Sequence, residues 1–126
     1  LIAEAVCSRV AEDGVVLAPP TISWQLSKLG CCRTFFDNPP AFLTENGSEE
    51  KLEAMENLLV IHKPPSPENM SLMEKVFTMT SFAAVVVMNK SGKYDRLEEF
   101  LAGKGLELVT KQNDYRIWVS KQEFRE

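Results

Sequence analysis

The stretch FAAVVVMNKSGKYDRLEEFLAGKGLELVTKQNDYRIWVS, residues 82–120, decides the fold. Its first seven residues are all apolar, and no polar residue alternates with them, so they predict a strand that is covered on both faces. An amphipathic segment ending in glycine follows, and then come two alternating runs joined by a polar turn at residues 112–114. A buried strand, a helix and a hairpin in this order indicate an α/β domain.

The first 36 residues repeat the alternation of strand and helix. A helix is predicted over residues 1–12, a short buried strand over 15–18 and a helix over 21–29 that ends at Gly30. A second strand is predicted over 31–36, with Cys31 and Cys32 pointing to opposite faces. Because a helix connects the two strands in one βαβ unit, they are predicted to be parallel and joined by a right-handed crossover.

The middle of the chain is predicted to be mainly helical. A helix begins after Ser48, and we favour its continuation through residues 58–61 over a strand there. Ser66 and Pro67 begin another helix that reaches about Thr78. The predicted fold is therefore a single α/β domain over residues 1–126. We expect a layered, Rossmann-like sandwich with mainly parallel short strands, crossover helices and a C-terminal antiparallel hairpin. Strands 15–18 and 82–88 are predicted to be central in the sheet.

Composition excludes several classes of partner. The chain has 126 residues, a formal net charge of −4 and basic residues that are scattered singly. Phosphate backbones need clustered Lys and Arg, so no nucleic-acid partner is predicted. Direct insertion of this chain into a membrane is not predicted either, because it has no apolar stretch of about 18 residues. The single histidine, His62, has no cysteine at ligand spacing, so neither a metal nor another cofactor is predicted.

The candidate ligand-binding residues follow the first two predicted strands. Thr21 and Ser23 place hydroxyls at a helix start, where an anion can bind, and Asp37 and Asn38 follow the second strand. Each pair has a simpler interpretation that we favour, helix capping for Thr21 and Ser23 and turn formation for Asp37 and Asn38. The sequence contains no nucleophile–base pair, so no catalytic residue is predicted.

Two apolar features are candidate contact surfaces. The methionine-rich face of the helix after Ser66 is interpreted as core rather than as a binding groove; its members are Met70, Met73, Phe77 and Met79. Trp24 is predicted to be exposed beside the first crossover and to mark a contact surface.

Two longer stretches carry a resemblance in the order of their elements. The first is EAVCSRVAEDGVVLAPPTISWQLSKLGCCRTFF, residues 4–36, in which a helix leads to Val-Leu-Ala-Pro, a second helix and Gly30. The second is SLMEKVFTMTSFAAVVVMNKSGKYDRLEEFLAGKGLELVTKQNDYRIWVS, residues 71–120. In this order they resemble the soluble region that follows the transmembrane helices of polytopic protein-mannosyltransferase-like (GT-C type) glycosyltransferases.

The resemblance implies a context and a role. It implies a domain on the extracytoplasmic face of a membrane protein, excised from a longer polypeptide and packed against the membrane-embedded portion of that same polypeptide. The catalytic acids of such enzymes lie in loops between membrane helices, so the resemblance implies a non-catalytic domain accessory to glycosyl transfer from a lipid-linked donor. Two other classes stay open: a small soluble, cytoplasmic α/β protein or enzyme that binds nucleotides or phosphates, and a protein-interaction module.

Overall fold

The computed structural model describes residues 2–37, 59–61, 66–89 and 96–121. Within these ranges the helices are α1 (Ile2–Cys7), α2 (Pro20–Leu29), α3 (Pro67–Met79) and α4 (Arg96–Gly103). The strands are β1 (Val15–Leu17), β2 (Arg33–Thr34), β3 (Val60–Ile61), β4 (Ala84–Asn89), β5 (Leu106–Gln112) and β6 (Tyr115–Ser120), and a 3₁₀ turn, Phe35–Asp37, follows β2.

The strands form one mixed sheet in the order β2-β1-β4-β6-β5. β1 is parallel to both of its neighbours, whereas β6 runs antiparallel to β4 and forms a hairpin with β5. β3 pairs in parallel with the last two residues of β4. The predicted α/β class, its parallel strands and its C-terminal hairpin are therefore confirmed.

Helices cover both faces of the sheet. Val16 and Val86 point into a cluster with residues of α1 and α2, and Val85 and Val87 point into a second cluster with residues of α3 and α4. Val85, Val86 and Val87 are completely buried. Each face of β4 packs against a helical layer, and this explains why residues 82–88 are all apolar.

Two predicted elements are much shorter than expected. α1 ends at Cys7 instead of residue 12, because the Arg9 amide bonds to the Val6 carbonyl in a tighter i to i−3 turn. The predicted strand over 31–36 is only two residues long, and Cys31 and Cys32 lie in bends before it. Both cysteines pack against the same cluster beside α1 and α2, so their placement on opposite faces was wrong.

Residues 60–61 form a strand, so the helix favoured over 58–61 was wrong at its end; residues 38–58 lie outside the described ranges. Val60 pairs with Met88, and Ile61 pairs with Asn89. Both are β-branched residues, which fit a pleated strand well, but helical periodicity through Leu58 and Leu59 is equally consistent with the sequence. The strand that pairs with residues 60–61 is β4, which lies almost thirty residues further along the chain, so no local sequence pattern indicates this pairing.

The C-terminal strand β6 is more deeply buried than its alternation predicted. The alternation of Tyr115, Ile117 and Val119 predicts that the other face of β6, which carries Arg116 and Trp118, is only partly covered, but Trp118 is 1% exposed. The reason is topological: β6 lies between β4 and β5 instead of at an edge, and α4 packs over that face.

The two signals predicted for helix ends are confirmed. Gly30 closes α2 in the left-handed region with φ +68°, and the Ser66 hydroxyl caps α3 by accepting a hydrogen bond from the Asn69 backbone amide at 3.1 Å.

Gly14 lies where β1 approaches β4. A Cβ placed on it would lie 2.8 Å from the Cβ of Ala83 and 3.1 Å from the Ala11 carbonyl. We therefore expect Gly14→Ala to lower the free energy of unfolding by about 1–3 kcal/mol, because the backbone has to shift. Chemical denaturation measures the effect. Gly103→Ala is the matched control, since no atom lies within 4 Å of its Cβ position, and an equal loss in both variants would contradict this explanation.

Candidate functional site

The carboxyl end of β1 is the position at which open α/β sheets bind ligands. β1 lies between two parallel neighbours, β2 and β4. After β1 the chain passes through α2 to β2, which lies on the side of β1 away from β4. It later passes through α3 into β4, on the other side of β1. The two helices lie on opposite faces of the sheet. Such a reversal of direction opens a crevice at the strand ends. In this chain β3 pairs with β4 just beyond the end of β1, so part of that crevice is filled by main chain.

The two predicted hydroxyls after β1 have different surroundings. Thr21 is exposed on the first turn of α2. Ser23 is buried, and its Oγ donates a hydrogen bond of 2.9 Å to the Ala18 carbonyl. Neither is the helix cap, because the N-cap residue is Pro19 and it makes no side-chain hydrogen bond. The capping interpretation was therefore wrong: Ser23 ties the start of α2 to the end of β1, and only Thr21 faces solvent.

The acidic pair follows the neighbouring strand. Asp37 is the last residue of the 3₁₀ turn after β2, and this turn contacts both β1 and α2. Asn38 lies outside the described residues. The carboxyl ends of β1 and β2 meet at one edge through the pairing of Val16 with Thr34. The structure thus brings the backbones of the two loops to one edge, and convergence of their side chains stays a prediction.

Asn89 is a candidate that sequence reasoning missed. It is the last residue of β4, it is buried, and it lies at the same edge as the loop after β1. Its backbone N–H donates to the Asp114 carbonyl at 2.8 Å, and the residue pairs with Ile61 of β3. In the sequence, Asn89 could have been found as the polar residue that directly follows seven apolar ones, because such a residue marks the end of a buried strand.

A cleft of about 370 Å³ opens at the opposite edge of the sheet, where α3 and α4 end. Lys104 lies at its rim, forms an ion pair with Glu74 at 3.2 Å and places its ammonium 5.3 Å from the centre of the Phe100 ring. A cation is favourable at helix carboxyl ends, so this lysine has a structural reason to be there. The cleft is lined by Phe77, Thr80, Ser81, Phe82, Lys104, Gly105, Leu106, Ser120 and Lys121.

A buried ion pair joins α4 to the sheet. Glu98 is fully buried, and its Oε2 accepts a hydrogen bond from the Arg116 guanidinium on β6. The pair lies on the face of the sheet that carries Trp118, between helix and strand. Sequence reasoning missed it, because Glu98 follows Leu97 in a pattern that places glutamates on the solvated face of the helix.

The cysteines form the most distinctive group of reactive side chains among the described residues. Cys7 and Cys31 form a disulfide that ties α1 to the segment between α2 and β2, and the sequence alone had left this pairing open. Cys32 is a half-buried thiol whose Sγ lies 3.6 Å from the Sγ of Cys31. Burial raises the pKa of the Cys32 thiol, because the thiolate loses solvation.

Removal of the disulfide is expected to destabilise the fold. The chain between Cys7 and Cys31 closes a loop with a sequence separation of 24. The chain-entropy relation assigns about 3 kcal/mol to a loop of this size, so Cys7→Ser should lower the free energy of unfolding by about that amount in urea titrations. Cys32→Ser is the control, with an expected change within about 0.5 kcal/mol. Similar losses in both variants would contradict the assignment of the bond to Cys7.

Three large apolar side chains are exposed in the described ranges. Trp24 is 61% exposed, as predicted, Leu29 is 52% exposed on the same helix, and the Lys28 ammonium lies 4.3 Å from the centre of the Trp24 ring. Met79 is exposed at the end of α3. Met73, by contrast, is completely buried and Met70 is half-buried, so the interpretation of this helix face as core is confirmed at Met73 and wrong at the exposed Met79.

Comparison with known proteins identifies no relative. No family model matches the chain, and neither a curated protein nor a solved structure shows significant similarity to it. In the described ranges no cluster of three or more His, Cys, Asp or Glu side chains has metal-binding geometry. The helices of the same ranges are all too short or too polar to cross a bilayer.

Proposed function

We propose that this chain is a disulfide-stabilised extracytoplasmic domain, Rossmann-like in architecture, of a membrane protein that resembles GT-C type glycosyltransferases. Its role is accessory: it packs against the membrane-embedded portion of its own polypeptide and positions the acceptor or the lipid-linked donor, while the chemistry takes place in the membrane part. The observation that carries the proposal is the disulfide between Cys7 and Cys31.

Disulfides form and persist mainly in oxidising environments such as the periplasm or the outside of a cell. This one lies within residues 4–36, the first of the two stretches that carry the resemblance. The elements of that stretch follow the family's order, with a helix, a short strand, a helix closed by Gly30 and a second strand. The net charge of −4 supports an aqueous position beside an anionic membrane, since acidic surfaces are repelled by anionic headgroups.

The exposed side of α2 is the surface that we assign to the membrane-embedded portion. Trp24 and Leu29 leave apolar area in solvent, and Lys28 adds a cation over the Trp24 ring. α2 itself carries no acidic residue. An aromatic anchor with a neighbouring cation is typical of the centre of a protein contact and of contacts near a membrane surface.

Labelling of Cys32 from outside the cell tests the location. In intact cells that produce the full-length parent protein, a membrane-impermeant maleimide is expected to label Cys32 without permeabilisation, while Cys7 and Cys31 stay protected as a disulfide. Cys32→Ser is the matched control and should take up no label within this domain. Labelling that requires permeabilisation, with Cys7 and Cys31 recovered as thiols, would place the domain in the cytoplasm and overturn the proposal.

The accessory role has a separate test. In the parent protein, Trp24→Ala with Leu29→Ala is expected to lower glycosyl transfer from a lipid-linked donor while the domain keeps its melting temperature. Met79→Ala removes an equally exposed side chain from α3 and should leave transfer unchanged. Equal transfer in both variants would argue against a contact through α2.

The rival class is a phosphate- or nucleotide-binding site at the carboxyl ends of β1 and β2, where parallel pairing brings the two following loops to one edge. Thr21, Ser23, Asp37 and Asn38 are its predicted ligand residues. Thermal-shift screens with nucleotides, sugar phosphates and metal ions test this class. A rise in melting temperature of several degrees that is lost in Thr21→Ala or Asp37→Ala, but kept in Ser81→Ala at the opposite edge, would favour the rival.

A further inference from the structure

The disulfide has a third cysteine in direct contact with it. The Sγ of Cys32 lies 3.6 Å from the Sγ of Cys31, which is already bonded to Cys7. All three cysteines pack against one cluster of apolar residues from α1, α2 and the sheet. The nucleophile and the electrophile of a thiol–disulfide exchange are thus held together, and no other molecule has to bind before the reaction.

We propose that Cys7, Cys31 and Cys32 form an intramolecular thiol–disulfide exchange site. The Cys32 thiolate attacks the Sγ of Cys31 and forms a Cys31–Cys32 bond. The Cys7–Cys31 bond breaks with its electron pair on Cys7, which leaves as a thiolate and takes up the proton that Cys32 lost. One disulfide and one thiol are present before and after the step, so it needs no external oxidant or reductant.

The equilibrium favours the bond to Cys7. Adjacent Cα atoms are about 3.8 Å apart, which is closer than disulfides prefer, so the Cys31–Cys32 bond is the strained one. Burial raises the pKa of Cys32 and keeps most of it protonated at neutral pH, which slows the attack. The exchanged form is therefore a minority that frees α1 from its covalent link and presents Cys7 as a thiol to another disulfide.

Pulsed alkylation of the 126-residue chain tests the exchange. The oxidised chain is incubated without reductant, labelled briefly with N-ethylmaleimide and mapped by mass spectrometry without reduction. Among the labelled molecules we expect most to carry the label on Cys32 and a minority on Cys7, and we expect those labelled at Cys7 to contain a Cys31–Cys32 bond. Labelling of Cys7 should exceed that of the Cys32→Ser variant at least about tenfold, because that variant lacks the attacking thiol.

Two results would overturn the proposal. One is equal labelling of Cys7 in the wild-type chain and in Cys32→Ser; the other is Cys7 labelling that occurs only in urea, since exchange would then be confined to the unfolded chain. A second variant provides an independent measure. Cys7→Ser leaves Cys31 and Cys32 together, and with oxidised glutathione it is expected to lose the mass of two hydrogens as their bond forms in the folded chain. A stable mixed disulfide with glutathione instead would contradict the exchange.

Discussion

Val86→Asp is expected to destabilise the domain more than any other substitution considered, by about 4–5 kcal/mol or more. Val86 is completely buried in β4, pairs with Ile117 of β6 and faces the layer formed by α1 and α2. The side chains of that cluster are hydrophobic, so a carboxylate placed among them would lose its solvation. A domain of this size is stable by only about 5–15 kcal/mol, so the expected loss is a large part of the total.

Urea unfolding followed by far-ultraviolet circular dichroism measures this effect. Two control variants separate charge from packing. Val86→Ala removes the same side chain without adding a charge and is expected to cost about 2 kcal/mol. Gln112→Asp adds a carboxylate at an exposed position of β5 and is expected to change stability by less than about 0.5 kcal/mol. A loss for Val86→Asp no larger than that for Val86→Ala would show that the centre of β4 is accessible to water.

Arg116→Met is expected to give the second largest loss, about 3–5 kcal/mol. The Arg116 guanidinium donates to the fully buried carboxylate of Glu98, and Met matches the length of the arginine stem without its charge. The loss arises because the fully buried carboxyl of Glu98 loses the cation that compensates for its desolvation. The pair joins α4 to β6, so its disruption acts on the contact between the helical layer and the sheet.

A double-mutant cycle with Glu98→Leu checks this explanation. The double variant replaces both charges with apolar side chains and is expected to recover most of the stability lost in either single variant, because buried ion pairs are often no more stabilising than apolar residues of similar volume. Lys104→Met, which removes the partly exposed pair with Glu74, is the matched surface control and should cost less than about 1 kcal/mol. Losses that simply add in the double variant would show that Glu98 and Arg116 are not energetically coupled.

The candidate site was only partly predictable from sequence. The position of a strand end is a local property, so Thr21, Ser23 and Asp37 were expected after β1 and β2, and their backbone segments lie there. The direction of a side chain depends on what packs against it. The Ser23 hydroxyl therefore points back to the Ala18 carbonyl, whereas Thr21 is exposed, and no local pattern distinguishes the two.

Residue-level signals by themselves determined the class of the fold, the end of α2 and the start of α3. An apolar run too short for a helix and without alternation has to be covered on both faces, and this placed residues 82–88 at the centre of the sheet. Gly30 and Ser66 act on the backbone within a few residues of themselves, so their roles can be inferred without the rest of the chain. The alternating residues of β5 and β6 and the polar turn between them predicted the hairpin for the same reason.

Only the tertiary structure decided the features that join distant segments. Pairing with β4 makes residues 60–61 a strand, and the position of β6 between β4 and β5 buries Trp118. The packing of α1 against α2 selects Cys31 instead of Cys32 as the partner of Cys7, and the packing of α4 over β6 buries Glu98 with Arg116. Each of these contacts joins residues far apart in sequence, and its free energy arises only when the layers come together. Local periodicity therefore carries no information about them.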